Sequence, residues 1–287
     1  MLCISVMLCL SVIQLASGCK KSVYEERGEC PCLLRIGFTG NYDIESYQIW
    51  ILDADGNLLK RDNFHKGEAG ETYYETTVPR CIFNIYVWGN TLENTLIVSD
   101  GANSLIKQNR ESSFDRLYYG SSMGNSHKED VVTMDIEMCK QYSAVELNIS
   151  CKAENKIDLE QISVLTITNS VGYYLNGRSI EGRGAIQTIS HSSAHVNRED
   201  GNAGNDRSVS FEYNMARPSS LNGLEIKLKE GGKDIITIDF GYMLKARNYD
   251  IKKKNLDDIN IDIDLSTGTF LISCKDWEEV DDVDIVM

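Results

Sequence analysis

Gly120-Ser121-Ser122-Met123-Gly124 spells G-x-S-x-G, the pattern in which a strand turns sharply into a helix and exposes a nucleophilic serine. The residues that follow, Asn125-Ser126-His127-Lys128, are polar and lead into another alternating segment, so the helix that makes the elbow is missing and Ser122 is not assigned catalysis. His191 and His195 stand four apart, a metal-ligand spacing only on a helix. Thr188-Ile189-Ser190 and the polar run beyond them read as loop, which makes both surface histidines. Asp53-Ala54-Asp55-Gly56-Asn57 resembles the start of a calcium loop, but an EF-hand needs Gly at position six and Glu at twelve. Leu58 and Phe64 stand there, and the segment reads instead as a hairpin turn in which Gly56 takes positive φ. The acid pairs Asp257/Asp258, Glu278/Glu279 and Asp281/Asp282 could serve a glycosidase only across a cleft. Adjacent acids on a strand point to opposite faces, so they read as a solvated edge that discourages strand pairing. No enzyme, metal or cofactor is expected.

Cysteine carries the remaining chemistry. Cys3 and Cys9 lie in Met1–Gly18, an apolar run without a charged residue that ends in small residues and reads as a cleaved secretory signal. Polar Ser5, Ser11 and Gln14 interrupt it before Lys20, and it falls short of the roughly 20 apolar residues of a membrane span. Leu15-Ala16-Ser17-Gly18-Cys19 resembles a bacterial lipobox, which makes Cys19 the lipidated N-terminus of the mature chain; the alternative is an ordinary signal with Cys19 in a disulfide. Cys30, Cys32, Cys81, Cys139, Cys151 and Cys274 remain, an even set that permits three disulfides in any of about 15 pairings. Zinc knuckles need C-x-x-C pairs, whereas Cys30-Pro31-Cys32 is C-x-C and the rest are scattered.

The elements that must carry these residues are strands. The chain has 287 residues, 42% hydrophobic and 25% charged, with three prolines, a globular composition. Its 29 basic and 43 acidic residues give a net charge of −14, which excludes nucleic acid as a partner on electrostatics alone. Period-2 alternation bounded by Gly, Asn and Asp predicts strands over 33–38, 46–52, 82–88, 95–99, 131–138, 144–151, 162–168, 209–213, 224–228, 235–240, 259–265 and 269–274. Short helical character is confined to Ser104–Asn109, the surroundings of Leu159 and Gly241–Arg247. The many short strands predict an all-β chain of two tandem β-sandwich domains. The polar Cys139-Lys140-Gln141-Tyr142 places the boundary, giving a signal over 1–18, a tether over 19–32 and sandwiches over 33–141 and 142–287. Loops are expected at Gly120–Asp130 and Ser190–Arg207, and no repeat of 20–50 residues is visible.

An ordered series of short motifs then resembles one family. Cys19, Tyr24-Glu25-Glu26 and Cys30-Pro31 precede Leu34-Arg35-Ile36-Gly37-Phe38. Tyr47-Gln48-Ile49-Trp50-Ile51-Leu52-Asp53 with Asp55-Gly56, then Phe83-Asn84-Ile85-Tyr86-Val87-Trp88-Gly89 and Leu117-Tyr118-Tyr119-Gly120, follow in register. Val145–Ile149, Asn260–Leu265, Thr269–Ile272 and Asp276-Trp277 continue it. The series resembles the FimB-like fimbrial anchor lipoproteins of Bacteroidetes, accessory or anchor subunits of type V pili. The resemblance implies transthyretin-like Greek-key sandwiches and a place at the fimbrium base. It also implies an outer-membrane lipid anchor through Cys19 and a fimbrillin-type shaft subunit as partner, joined by strand addition. Val283, Ile285 and Met287 share one face of the tail and are the candidate donor strand; the same segment could instead pair within its own domain. Other readings are a fimbrial tip or accessory adhesin, a lipid-anchored glycan-binding module in which Trp277 stacks on sugar, and a secreted hydrolase using the acid pairs.

Overall fold

The computed structural model describes residues 30–40, 42–65, 73–98, 101–109, 113–152, 156–189 and 206–275. The strands of the first half are β1 (Cys32–Thr39), β2 (Ser46–Asp53), β3 (Leu58–His65), β4 (Tyr73–Val78), β5 (Ile82–Gly89), β6 (Thr95–Val98), β7 (Leu105–Gln108), β8 (Tyr118–Asn125), β9 (Val131–Glu137) and β10 (Cys139–Lys140). Those of the second are β11 (Tyr142–Lys152), β12 (Ile162–Tyr174), β13 (Ser179–Ile189), β14 (Asp206–Ala216), β15 (Glu225–Glu230), β16 (Lys233–Asp239), β17 (Asp258–Asp264) and β18 (Thr269–Lys275). A single described helix, α1 (Phe240–Ala246), is capped by Asp239, whose carboxylate accepts from the Tyr242 amide. The chain is all-β, and its sheets stack as sandwiches.

Sheets β4-β1-β9 and β10-β8-β5-β2-β3 enclose one core, built from Leu34, Ile36, Ile49, Ile51, Phe83, Ile85 and Val87 among others. Sheets β14-β11-β17-β18 and β16-β15-β12 enclose another around Leu147, Ile149, Val164, Phe211, Ile226 and Ile261. β13 lies on the opposite flank of β12 from β15, since Val164 is paired with both Thr188 and Leu228. Aligned in chain order, the two halves repeat one seven-strand plan. β4-β1-β9 answers to β14-β11-β17, and β8-β5-β2-β3 to β16-β15-β12-β13. In both halves the first strand is central, antiparallel to the fourth and parallel to the last. Nothing in the sequence displays this repeat, because a sandwich plan constrains alternation and turns rather than residue identities.

Two expected elements change type. Ser104–Asn109, expected to have helical character, is the strand β7 after a 3-10 turn at Gly101–Asn103. Gly120–Asp130, expected as a loop, begins as strand β8 through Asn125. Both strands are short on alternating apolar residues because their neighbours, not their own sequences, hold them in place. In β8, glycine is what packing requires: a Cβ on Gly120 would stand 2.5 Å from an Ile136 methyl, and one on Gly124 would stand 2.4 Å from the Phe83 ring.

Candidate functional site

β6 and β7 belong to the first half of the sequence yet pair with the second half's sheet, Lys107, Ile106 and Leu105 lying opposite Gly172, Tyr173 and Tyr174 of β12. The crossing demands glycine at 172, where φ is +145° and a Cβ would fall 2.1 Å from the Ile106 carbonyl oxygen. In return, the far end of β12 reaches the outer face of the first half's larger sheet. A third core forms between them from Trp50, Leu52, Trp88, Ile106, Phe114, Leu117, Tyr173, Leu175 and Ala216. The central strands β2 and β5 are therefore covered on both faces near this end. That explains why Ile49-Trp50-Ile51-Leu52 is a continuous apolar run rather than an alternating one.

Polar groups fasten this waist. The Trp88 indole N–H donates to the Leu175 carbonyl at 3.1 Å. The buried Tyr173 hydroxyl donates to the Gln141 carbonyl and accepts from the Arg217 amide at 2.6 Å. The Arg217 guanidinium donates to Gln141 Oε1 (3.1 Å) and to the carbonyls of Ile251 (2.5 Å), Lys253 (2.8 Å) and Lys254 (3.2 Å). Lys140 Nζ, with its side chain only 3% exposed, meets Asp258 Oδ1 at 2.5 Å, and the same carboxylate oxygen accepts from the Ala144 amide. Glu137 pairs with Lys254 at the waist end of β9. Desolvation pushes the Tyr173 and Tyr142 phenols above their ordinary range.

At the opposite pole of the first sandwich, Arg80 fastens the start of β1. Its guanidinium donates to the carbonyls of Cys30 (2.9 Å) and Glu129 (2.8 Å) and pairs with Asp130 Oδ1 at 2.5 Å. β1 runs from this pole to the waist, since its first residues lie opposite Val78 and beside Asp130 while Thr39 accepts from the Met138 amide. The chain preceding Cys30 therefore joins the body at the end remote from the second sandwich.

Cys19 and the tail residues Val283, Ile285 and Met287 lie outside the described residues, as do His191, His195, Trp277 and the acid pairs 278/279 and 281/282. All six remaining cysteines are free thiols here, Cys30 exposed and Cys32 and Cys151 buried. Burial pushes the thiols of Cys32, Cys81 and Cys139 up, and that of Cys274 up to about 11. Cys274 lies opposite Ile259, six positions along β17 from the level of Cys151, so strand register keeps those two apart by roughly 20 Å.

The motif imitators resolve into structure. Asp53 Oδ1 accepts from the amides of Asp55 (2.9 Å) and Asn57 (2.8 Å), Gly56 has φ +84°, and the Asn57 side-chain and backbone bonds hold the Asp53 carboxyl below its usual range. Ser122 sits inside β8, opposite Ile85, without an elbow. Asp257 is paired with Lys253 at 2.7 Å and Asp258 with Lys140. Among the described residues no cluster of three or more His, Cys, Asp or Glu could hold a metal, and no helix is long and apolar enough to cross a membrane. Trp50 and Trp88 are completely buried and present no face to a sugar.

The body is a pair of similar β-sandwiches fastened end to end, an all-β architecture. The chain belongs to the family of fimbrillin-A associated anchor proteins Mfa1 and Mfa2, whose family profile matches residues 28–283. It is thus a fimbria-associated protein of a non-enzymatic family. Among solved structures it is similar to the fimbrial anchor protein Mfa2 from Porphyromonas gingivalis, with 12% identity and TM-score 0.61 over 86% of this chain and 98% of that one. A candidate polysaccharide-binding protein of Bacteroides thetaiotaomicron gives 13% and 0.65 over 86% and 99%. A candidate adhesin of the same species gives 12% and 0.63 over 88% and 98%. At these identities the likeness establishes the fold. No curated protein matches the chain.

Proposed function

We propose that this protein is a cell-surface lipoprotein that anchors or terminates a fimbrium at the outer membrane. Residues 1–18 are the signal, Cys19 bears the lipid, residues 19–32 are the tether, and the sandwiches span 33–141 and 142–287. Membership of the anchor-protein family over residues 28–283 is the observation that carries the reading. Chain geometry supports it: a tether entering at the pole fastened by Arg80 sets the first sandwich toward the membrane and the second toward the filament. One acyl chain gives only marginal membrane binding, at about 0.8 kcal/mol per buried methylene, whereas the several chains of a lipoprotein cysteine resist extraction. The partner is a fimbrillin-type shaft subunit, engaged by strand addition, in which backbone pairing gives affinity and alternate apolar side chains give selectivity. Val283, Ile285 and Met287 are the strand offered.

Substituting Cys19→Ala in the producing cell and following fimbriae by immunoblot of cells and medium tests the anchor. Intact fimbriae shed into the medium, with the variant protein among them, is the expected result. Fimbriae that stay cell-bound but lose adhesion indicate a tip or accessory subunit instead, and an unchanged, membrane-bound variant overturns lipidation at Cys19.

A further inference from the structure

Among the places where the two halves of the seven-strand plan differ, one leaves a strand edge open. In the second sandwich the last strand of the plan, β17, has a neighbour on each side, β11 and β18. Its counterpart β9 is paired with β1 alone among the described residues. The inward residues register the difference. Ile259, Ile261 and Ile263 of β17 are all at most 1% exposed, whereas Val132 and Met134 of β9 are only half-buried and Ile136 alone is sealed. Backbone polarity follows the same line. The Asp130 carbonyl and the Met138 amide both bond β1, so residues of even number direct their backbone groups inward to β1. Val131, Thr133, Asp135 and Glu137 therefore direct theirs to the open edge.

The second sandwich delivers a chain to that edge. β18 runs toward the waist and ends at Lys275, opposite Asp258, whose carboxylate holds Lys140 just beyond β9. A chain continuing from Lys275 into the first sandwich would run antiparallel to β9, as β18 runs to β17. Residues 276–287 follow, and at about 3.3 Å per residue they reach roughly 40 Å, beyond the length of the seven-residue β9. Val283, Ile285 and Met287 alternate with Asp282, Asp284 and Val286, which supplies one apolar face and one largely acidic face.

We propose that residues 276–287 cap their own first sandwich, adding a strand antiparallel to β9 with Val283, Ile285 and Met287 laid over Val132, Met134 and Ile136. The capped state is the resting form of the segment read above as the donor strand, so donation to a shaft subunit requires its release from β9. The acidic face then stands beside Asp135 and Glu137 on the exposed side of the sheet, and the cap tightens as salt screens these like charges.

Amide hydrogen exchange by NMR on the complete chain from Cys19 onward, at low concentration, tests this. The amides of Val131, Thr133, Asp135 and Glu137 are expected to be protected, more so at higher salt. Deleting residues 276–287 is expected to speed their exchange by about tenfold or more. The pair Val283→Asp and Ile285→Asp, which retains the length of the chain, should do the same and guards against a truncation that fails to fold. Unprotected β9 amides in the complete chain overturn the proposal, as does protection that survives both changes. Protection that grows with protein concentration assigns the strand to a second copy and overturns capping within one chain. Because the readout is the isolated protein, it succeeds or fails independently of whether Cys19→Ala sheds fimbriae.

Discussion

Tyr173→Phe removes one oxygen from the middle of the waist and leaves the packing volume unchanged, so its effect isolates the polar fastening from the apolar core. The hydroxyl makes two bonds, donating to the Gln141 carbonyl and accepting from the Arg217 amide at 2.6 Å, in a fully buried setting. The Arg217 amide also donates to the Gln141 carbonyl at 3.2 Å, so in the variant these two groups retain each other and neither is orphaned. The loss is then about 0.5–1.5 kcal/mol, the net range for a hydrogen bond whose partners stay satisfied. At roughly 2–4 °C per kcal/mol for a chain of this size, the midpoint should fall by about 1–6 °C. Because the hydroxyl joins β12 to the segment between the sandwiches, the loss should also weaken their coupling. Differential scanning calorimetry measures both effects: a single transition in the parent, and in the variant a lower midpoint with a calorimetric enthalpy exceeding the van't Hoff value. A midpoint unchanged within about 1 °C would refute the claim that this hydroxyl fastens the two bodies.

Gly172→Ala should be worse than Tyr173→Phe, because positive φ and the Ile106 carbonyl both oppose a Cβ; detachment of β6 and β7, read as faster amide exchange over 95–108, is the expected sign. Alkaline pH should unfold the chain steeply. Burial pushes the Tyr74 and Tyr119 phenols up to about 12 and those of Tyr142, Tyr173, Tyr213 and Tyr249 upward as well. The folded chain thus holds protons that the unfolded chain releases near pH 10, so this stability is full below about pH 10 and falls above it by up to about 1.4 kcal/mol per pH unit per tyrosine. Tyrosinate absorbance should rise together with unfolding, and gradual ionisation of these groups near pH 10 in the folded chain would contradict it. With iodoacetamide in the reduced chain, Cys30 should be alkylated first and the buried Cys32 and Cys151 last, with Cys274 slowed by its raised thiol; mass-spectrometric labelling at Cys32 or Cys151 as fast as at Cys30 would count against the buried placement.

Strands were legible in β1 and β17, where one face meets a core and the other meets water, whereas β3, β4 and β13 were not expected, although β4 alternates buried and exposed side chains in the same way. Strands were also illegible where neighbours replace the pattern. In β8, two glycines make room for Ile136 and Phe83, and the resulting spacing imitates a nucleophile motif. In β7, a run of four residues is a strand only because β12 extends past its own sandwich to meet it. The unbroken apolar stretch Ile49–Leu52 did carry the signal of a doubly covered sheet, since alternation cannot bury Trp50 and Ile51 at once. Arg217 and Lys140, which fasten the waist, are single charged residues in polar surroundings; no spacing marks them, because their partners are carbonyls and a carboxylate distant in sequence. The edge of β9 became visible only by laying one half of the chain over the other.

Under the proposed anchoring role, load would connect these features. A tension entering through the proposed tether reaches the body at Cys30, where Arg80 ties the chain to the β8–β9 turn before β1 begins. β1 is central, so pulling it out along its length must shear its hydrogen bonds to β4 and β9 together rather than peel them singly. The force then passes to the second sandwich through the Tyr173, Arg217 and Lys140 bonds and the crossed β7–β12 pairing, none of which is a flexible linker. Of the strands bearing this load, β4 and β9 are each paired on one side only among the described residues. A strand laid along the open edge of β9 would add a second ladder to it, so capping by residues 276–287 would stiffen the same element that tension loads. Arg80→Ala should accordingly lower the unfolding force measured by pulling from Cys19 much more than it lowers the thermal midpoint, and equal, small effects on both would remove Arg80 from the load path.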